Sequence, residues 1–450
     1  MLQCKLRKYK EVDMNYHIVT YGCQMNLHES EKIAGILREK GFESESSLED
    51  ADIIVFNTCC IRENAENHAF GNIGALKKLK AKKKSLLIAV GGCMAQEEGK
   101  AELIRKRFPF VDIVFGTHNL PSLGHLIDQK RVRRRAVVQI AEARECVEDG
   151  VTPVRTSYPN AWVNIMYGCN NFCTYCIVPY VRGREKSRKA QDIISEVAAL
   201  LQEGYKEITL LGQNVNSYNS DGQGGMSFPE LLDAVASLDG KFRLRFMTSH
   251  PKDFTEEVAV VMARHKKISP HLHLPVQSGN NRILSLMNRR YTREKYLAEI
   301  EMLKKHLPDC EVTTDLIVGF PTETESEFED TLRLVEEVGF SSAFTFVYSP
   351  RTGTKAASME GQIPEEVQKS RIIRLVDLVN RKTREKSAEY VGRTVEILCE
   401  DYDEKKGYYL GRDAYGRMGY FQSEKNRIGE FITLKITKAN GISLYGEAQD

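Results

Sequence analysis

Cys169-Asn170-Asn171-Phe172-Cys173-Thr174-Tyr175-Cys176 sets three thiols at a C-x3-C-x2-C spacing. With eleven cysteines in 450 residues, that pattern arises by chance with a probability of about 0.006. Three thiolates are one short of the closed tetrahedral set of a structural zinc site. They suffice for a 4Fe–4S cluster with one iron left open to another ligand. Phe172 and Tyr175 each precede a cysteine and would shield such a cluster from water. A zinc knuckle drawing its fourth ligand from elsewhere is the competing reading.

Residues 161–166 alternate as a strand that leads into this loop. Beyond it, strands are expected at 208–211, 243–247, 271–274, 312–318 and 343–348, and helices near 189–204, 228–238, 254–265, 280–287, 294–307 and 325–338. Six β-α units fall short of a closed eight-fold barrel, so an incomplete (β/α)6 barrel is expected, open on one side to a large substrate. Gln213-Asn214-Val215-Asn216, Ser249-His250 and Gln277-Ser278-Gly279 follow strands and mark the carboxyl ends as the active face. The basic loop 182–188 comes directly after the cysteines. It fits a solvated loop and a substrate or carboxylate contact about equally.

Upstream, strands at 17–20, 52–57, 86–90 and 111–116 alternate with helices at 30–40 and after Cys60 as far as about Lys83. The expected fold is α/β, a Rossmann- or flavodoxin-like parallel sheet with helices on both faces. Cys23, Cys59 and Cys93 each fall just past a strand's carboxyl end, the edge where open α/β sheets bind ligands. The intervals 23 to 59 and 59 to 93 each match one β-α unit, so the three thiols are expected to gather as a second three-cysteine centre. Gly22 and Gly92 would permit close backbone approach there. Buried core cysteines are the alternative. Cys60 is read as packing, and Cys4, Cys146, Cys310 and Cys399 as bystanders.

Downstream, a basic helix over 364–388 leads to five short strands between 394 and 447, which predict a small closed all-β barrel of the OB type. Tyr408, Tyr409, Tyr415 and Tyr420 could stack on bases there or fill its core. A net charge of +2 excludes a polyelectrolyte, so nucleic acid must meet local patches. The lysine-rich run 77–84 and the basic run 130–135 are two such patches, though solvated faces explain them as well. No apolar run approaches the ~20 residues of a membrane helix. The polar start, residues 1–13, reads as a leader without a secretory core. A cytoplasmic location in a reducing compartment is expected. The domains are taken as 14–130, a linker at 131–154, 155–386 and 387–450.

The C-x3-C-x2-C loop with an aromatic before its last cysteine resembles the radical S-adenosylmethionine (SAM) enzymes. Taken with the other two parts, the chain resembles the methylthiotransferases: an N-terminal cluster domain, a partial radical-SAM barrel and a TRAM domain. Five local runs match the MiaB-type tRNA branch: Thr20-Tyr21-Gly22-Cys23-Gln24-Met25-Asn26, Asn57-Thr58-Cys59 with 61–65, 178–185, 211–218 and His273-Leu274-Pro275-Val276-Gln277-Ser278-Gly279. The resemblance implies two 4Fe–4S clusters, one on Cys169, Cys173 and Cys176 and an auxiliary one on Cys23, Cys59 and Cys93. It implies two SAM molecules per turnover, one methylating a cluster sulfur and one giving a carbon radical. The implied product is a methylthio group on C2 of N6-(dimethylallyl)adenosine beside the anticodon. The implied partners are a tRNA anticodon stem-loop and an electron donor such as a flavodoxin or ferredoxin, acting on a monomer. Gln213, Ser249, Gln277 and the Gly319-Phe320-Pro321 run take the place of the family's SAM contacts, with the usual Gly-Gly-Glu replaced at Leu211-Gly212-Gln213. Arg182, Arg184 and Arg412 are expected to meet substrate. Sister enzymes acting on threonylcarbamoyl-adenosine or a ribosomal-protein aspartate are alternatives, as is a zinc-containing tRNA-binding protein.

Overall fold

The computed structural model of the chain describes residues 14–45, 47–60, 63–133, 135–141 and 150–449. The leader, Cys4, Cys146, Ile61-Arg62 and part of the 131–154 linker fall outside these residues. Two compact units are present. One holds the residues up to Val154 together with Tyr180–Arg182, and the other holds Arg155–Pro179 and the chain from Gly183.

In the first unit, β1 (Met14–Thr20), β2 (Phe42–Ser44), β3 (Ile53–Thr58), β4 (Leu87–Gly92), β5 (Ile113–Phe115) and β6 (Val137–Gln139) form one parallel sheet in the order β2-β1-β3-β4-β5-β6. This is the flavodoxin-like order with an added edge strand. Every residue of β3 is buried. Ile54, Phe56, Ile88 and Val90 pack on one face, and Ile53, Val55, Ala89 and Ile113 on the other. Continuous apolar runs are what a sheet covered on both faces requires. The edge strand β2 is a three-residue piece that the sequence does not announce, because only Phe42 in it is buried.

In the second unit, β7 (Asn160–Asn164) precedes a small antiparallel pair, β8 (Met166–Tyr167) and β9 (Lys186–Ser187), which brackets the cysteine loop. The remaining core strands are β10 (Glu207–Leu211), β11 (Arg243–Met247), β12 (His271–His273), β13 (Glu311–Val318) and β14 (Ser342–Val347). They form two three-stranded parallel sheets, β7-β10-β11 and β12-β13-β14, with a single parallel bridge from Leu244 to Ile268 where the two meet. All six expected strands are therefore present, in sequence order. The helix Glu325–Val338 shows why the periodicity is readable. Thr324 and Glu327 form a reciprocal capping box, Gly339 ends the helix at φ +63°, and Phe328, Leu334 and Val335 face the core.

The C-terminal barrel comprises β15 (Thr394–Asp403), β16 (Tyr408–Asp413), β17 (Met418–Phe421), β18 (Phe431–Asn440) and β19 (Ser443–Gln449), closed in the order β15-β16-β17-β19-β18. Gly411 is needed at its tight coil, because a Cβ there would stand 1.8 Å from the Leu398 carbonyl oxygen. The barrel packs on the amino ends of the core strands. Arg243 donates to the Arg412 carbonyl at 2.8 Å, and Arg417 forms a buried ion pair with Glu311 at 2.9 Å. Tyr409 is not a stacking surface: it is buried in the barrel core against Phe421. Tyr415 is half-buried against Tyr390. Among the described residues, no helix is long and apolar enough to cross a membrane.

Candidate active site

The cysteine loop is held by hydrogen bonds from backbone and neighbouring side chains rather than by an element of its own. Thr174 donates from its N–H to the Met287 carbonyl at 3.1 Å and from its hydroxyl to the Leu286 carbonyl at 2.8 Å. Asn288 caps the Asn171 and Phe172 carbonyls at 3.2 and 3.0 Å, and Glu185 accepts from the Asn170 N–H at 3.0 Å. Phe172 sits at φ +46°, with the exposed Arg184 guanidinium 4.4 Å above its ring. Burial, with a smaller contribution from charge on Cys173, pushes the Cys169 thiol up to about 11 and the Cys176 thiol up to about 12. The Cys169 and Cys176 thiols resist ionisation in this loop and need a cationic core to become ligands, since a bound metal deprotonates a coordinating thiol.

One cation is already present. Arg289 is buried and donates to Cys173 Sγ at 3.4 Å, to the Pro275 carbonyl at 2.6 Å and to the Tyr291 hydroxyl at 2.9 Å. Burial opposes its charge, but Tyr291, Tyr175 and Cys173 hold it protonated.

The expected SAM-contacting residues all follow carboxyl ends of the core strands. Around them lie buried polar atoms without a hydrogen-bond partner: both side-chain atoms of Asn164 at the carboxyl end of β7, Asn214 Oδ1 and both Asn216 atoms after β10, and Ser249 Oγ and His250 Nε2 after β11. Buried polar groups go unpaired only where a ligand or water completes them. Burial, then the Arg289 charge, holds His250 well below the usual imidazole range. Its Nδ1 accepts from the Lys252 N–H at 3.1 Å, so the neutral ring carries its proton on Nε2, available to donate. Gln277 is buried at φ +73°. Gly319 adopts φ +73° and its N–H is accepted by Glu323 at 2.7 Å. Pro321 is buried, and Phe320 is wholly enclosed in a cluster with Ile283, Met287 and Tyr348. The Phe320 ring is therefore packing rather than a ligand platform.

In the first unit, the three strands preceding the other cysteines are adjacent. Cys23 is the N-cap residue of the helix Gln24–Glu39, and Cys93 opens the four-residue helix Cys93–Gln96. A Cβ on Gly22 would lie 2.8 Å from the Cys59 Cβ, and one on Gly92 would lie 2.5 Å from the Thr58 carbonyl oxygen, so both glycines are required by close approach. Asn26 and Asn57 tie the strand ends together, with Asn57 Nδ2 donating to the Asn26 carbonyl at 2.8 Å.

Two residues depart from expectation. Cys60, read as packing, hydrogen-bonds Cys93. That bond and the Arg182 charge hold Cys93 below its ordinary value, while the same bond and burial push Cys60 well up. Arg182, expected at substrate, is buried in this unit. Its guanidinium meets Glu29 at 2.6 and 3.2 Å and Met25 Sδ at 3.0 Å. It is a charge partner of Glu29 and Cys93, not a surface contact. Arg412 is restrained by Glu400 at 2.6 Å.

Among the described residues, no three His, Cys, Asp or Glu side chains stand close enough to share one metal ion. A 4Fe–4S cube makes a different demand, because each cysteine binds a different iron and the thiols stay apart.

Family models match along the chain: "Uncharacterized protein family UPF0004" over residues 15–116, the Radical SAM superfamily over 163–335 and the TRAM domain over 388–448. The chain is 50% identical over 435 residues to a tRNA-2-methylthio-N(6)-dimethylallyladenosine synthase from Clostridium botulinum (strain Langeland), with 96% of each chain covered. It is 48% identical over 432 residues to a protein of the same name from Caldicellulosiruptor saccharolyticus, covering 96% of this chain and 92% of that one. Among solved structures it resembles the radical S-adenosylmethionine methyltransferase TsrM from Kitasatospora setae, at TM-score 0.56, 13% identity and 77% of each chain. It also resembles the cobalamin-dependent radical enzyme OxsB, at TM-score 0.51, 11% identity, 82% of this chain and 56% of that one. These two likenesses are of fold alone. On near-full-length identity, the chain belongs to the tRNA-2-methylthio-N(6)-dimethylallyladenosine synthase family.

Proposed function

We propose that this chain is a radical-SAM enzyme that methylthiolates C2 of N6-(dimethylallyl)adenosine next to a tRNA anticodon. The observation that carries the reading is half-identity across 96% of both chains to relatives bearing that name. An aromatic C–H is inert to acid–base catalysis, so the protein must lean on cofactors for the hard steps. Cys169, Cys173 and Cys176 would hold one 4Fe–4S cluster, and Cys23, Cys59 and Cys93 an auxiliary one. Bound there, the clusters and SAM would supply a carbon radical and the sulfur.

The chain's own residues do the remainder. Arg289 offsets the negative charge of the thiolate loop. Asn164, Asn214, Asn216, Ser249 and His250, with Gln213, Gln277 and Gly319, offer polar groups for the amino, carboxylate and ribose groups of SAM. Phe172, Tyr175 and the packed Phe320 exclude water. Arg182 favours the thiolate of Cys93. Arg184, exposed beside the loop, would meet RNA phosphate. The target base must be splayed from its loop, at a cost of a few kcal/mol. The regions 14–130, 155–386 and 387–450 would carry the auxiliary cluster, the radical chemistry and RNA docking. A monomer, a cytoplasmic location and a flavodoxin or ferredoxin as electron donor complete the proposal.

Nucleoside mass analysis of tRNA from a host strain lacking the gene tests this. The methylthio nucleoside should vanish, leave the dimethylallyl precursor, and return on complementation. Unchanged tRNA with loss of a protein modification would overturn it.

A further inference from the structure

On the C-terminal barrel, Tyr409, Phe421 and Leu444 point inward with Ile397, Ile432, Leu434 and Ile436 and fill the core. Their neighbours Tyr408, Tyr420 and Tyr445 therefore point outward, by the two-residue alternation of a strand. Strand pairing brings those three together. Tyr420 lies opposite Tyr445 in the parallel β17–β19 pair. The two rings stack at 5.1 Å with 17° between planes, and Tyr408 meets Tyr445 edge-on at 6.3 Å. All three are partly open to solvent. The exposed Lys438 ammonium stands 5.9 Å from the Tyr445 ring centre. Closure of the barrel does not explain an outward aromatic trio, since the inward set already fills it.

The strand order, with the third strand parallel to the fifth, is that of an OB barrel, whose second and third strands and the loops beside them bind oligonucleotides. Tyr408 is on the second strand, Tyr420 on the third and Tyr445 on the fifth. The loop between the first two strands carries Glu404-Lys405-Lys406-Gly407, and the turn between the last two exposes Ile442. A stack of aromatic faces beside a cation is the chemistry that holds single-stranded bases without reading their sequence.

We infer that Tyr408, Tyr420 and Tyr445, with Lys438, form a stacking platform for unpaired bases of the RNA substrate. This rests on the tRNA reading above and adds the surface on which the RNA loop lies. It differs from the expectation drawn from sequence: Tyr409 is excluded by burial and Tyr415 by its edge-on packing against Tyr390, and Tyr445 and Lys438 enter.

The test is binding of the full-length protein to an unmodified anticodon stem-loop RNA and to a single-stranded oligoadenylate, by fluorescence anisotropy. Tyr420→Ser/Tyr445→Ser should weaken both at least ~10-fold, as loss of base stacking does. Tyr420→Phe/Tyr445→Phe should retain near-native affinity. The salt slope should hold in both tyrosine variants and shrink in Lys438→Gln. A circular dichroism spectrum matching the parent controls for folding, and the phenylalanine pair keeps the test informative if the serine pair unfolds. Unchanged affinity in the folded serine variant would overturn the platform. So would equal losses in the phenylalanine variant, which would assign the effect to the hydroxyls. If instead a protein partner occupies this face, RNA binding stays native and the platform falls. Absence of methylthio product from the wild type would count against the proposed reaction alone, because the oligonucleotide measurement stands without it.

Discussion

Replacing Arg182 by methionine separates a buried charge partner from an RNA contact. Methionine keeps most of the volume and removes the guanidinium. Glu29 then keeps its carboxylate in a buried site with two hydrogen bonds gone, those at 2.6 and 3.2 Å. Removing one member of a buried pair costs about 3–5 kcal/mol. For a unit of this size, that lowers the first thermal transition of the apo, reduced protein by about 10 °C. Removing both members of the ion pair in Glu29→Met/Arg182→Met should recover much of the loss. The tRNA affinity should keep its salt slope. Had Arg182 touched a phosphate, the slope of log affinity against log salt would fall by roughly 0.7–0.9. A variant with native thermal stability and a reduced salt slope would refute the assignment.

Cys59→Ala should retain deoxyadenosine release from SAM yet form no methylthio product, whereas Cys60→Ala, which alters a fully buried packing residue on the proposed assignment, should form product. Product from Cys59→Ala and none from Cys60→Ala would exchange their roles. Arg289→Met removes a positive charge beside Cys173, worth about 2 kcal/mol to an added electron spread over the cluster, so spectroelectrochemical titration should find a potential lower by ~90 mV. An unchanged potential would remove Arg289 from the site's electrostatics. Burial pushes Glu299 up to about 8, only partly offset by Lys295 at 3.7 Å. The folded state thus holds a proton the unfolded chain releases near 4.5, and that stability is lost as pH rises from 4.5 through 8. Glu299→Gln should flatten this decline and exceed the parent in urea midpoint at pH 9. Parallel pH curves for the two proteins would contradict it.

Much of this was legible in the sequence where the signal is local. The core strands could be read where apolar residues run together, as at 208–211, or alternate with polar ones, as in Arg243–Met247. The cysteine loop was legible from its spacing alone. The helix 325–338 announces itself through Thr324 and Glu327. What escaped depends on packing between distant segments. Arg182 reads as part of a basic loop, and only the fold carries it to Glu29, 153 residues away in sequence. Arg289 sits among Asn288, Arg290 and Tyr291 with no motif to mark it, because its burial is set by the Pro275 carbonyl and Cys173. Two adjacent cysteines, Cys59 and Cys60, cannot be told apart by spacing, and both are buried. Phe320 follows a strand as a ligand residue would, yet its ring turns into the core.

Two three-cysteine centres per chain are the foundation of the proposed reaction, and iron content measures them directly. Protein purified anaerobically should carry about eight irons, and about four once Cys169, Cys173 and Cys176 are all alanine. About four irons in the unaltered protein, falling to none in that triple variant, would leave no auxiliary cluster to supply sulfur and would contradict the account.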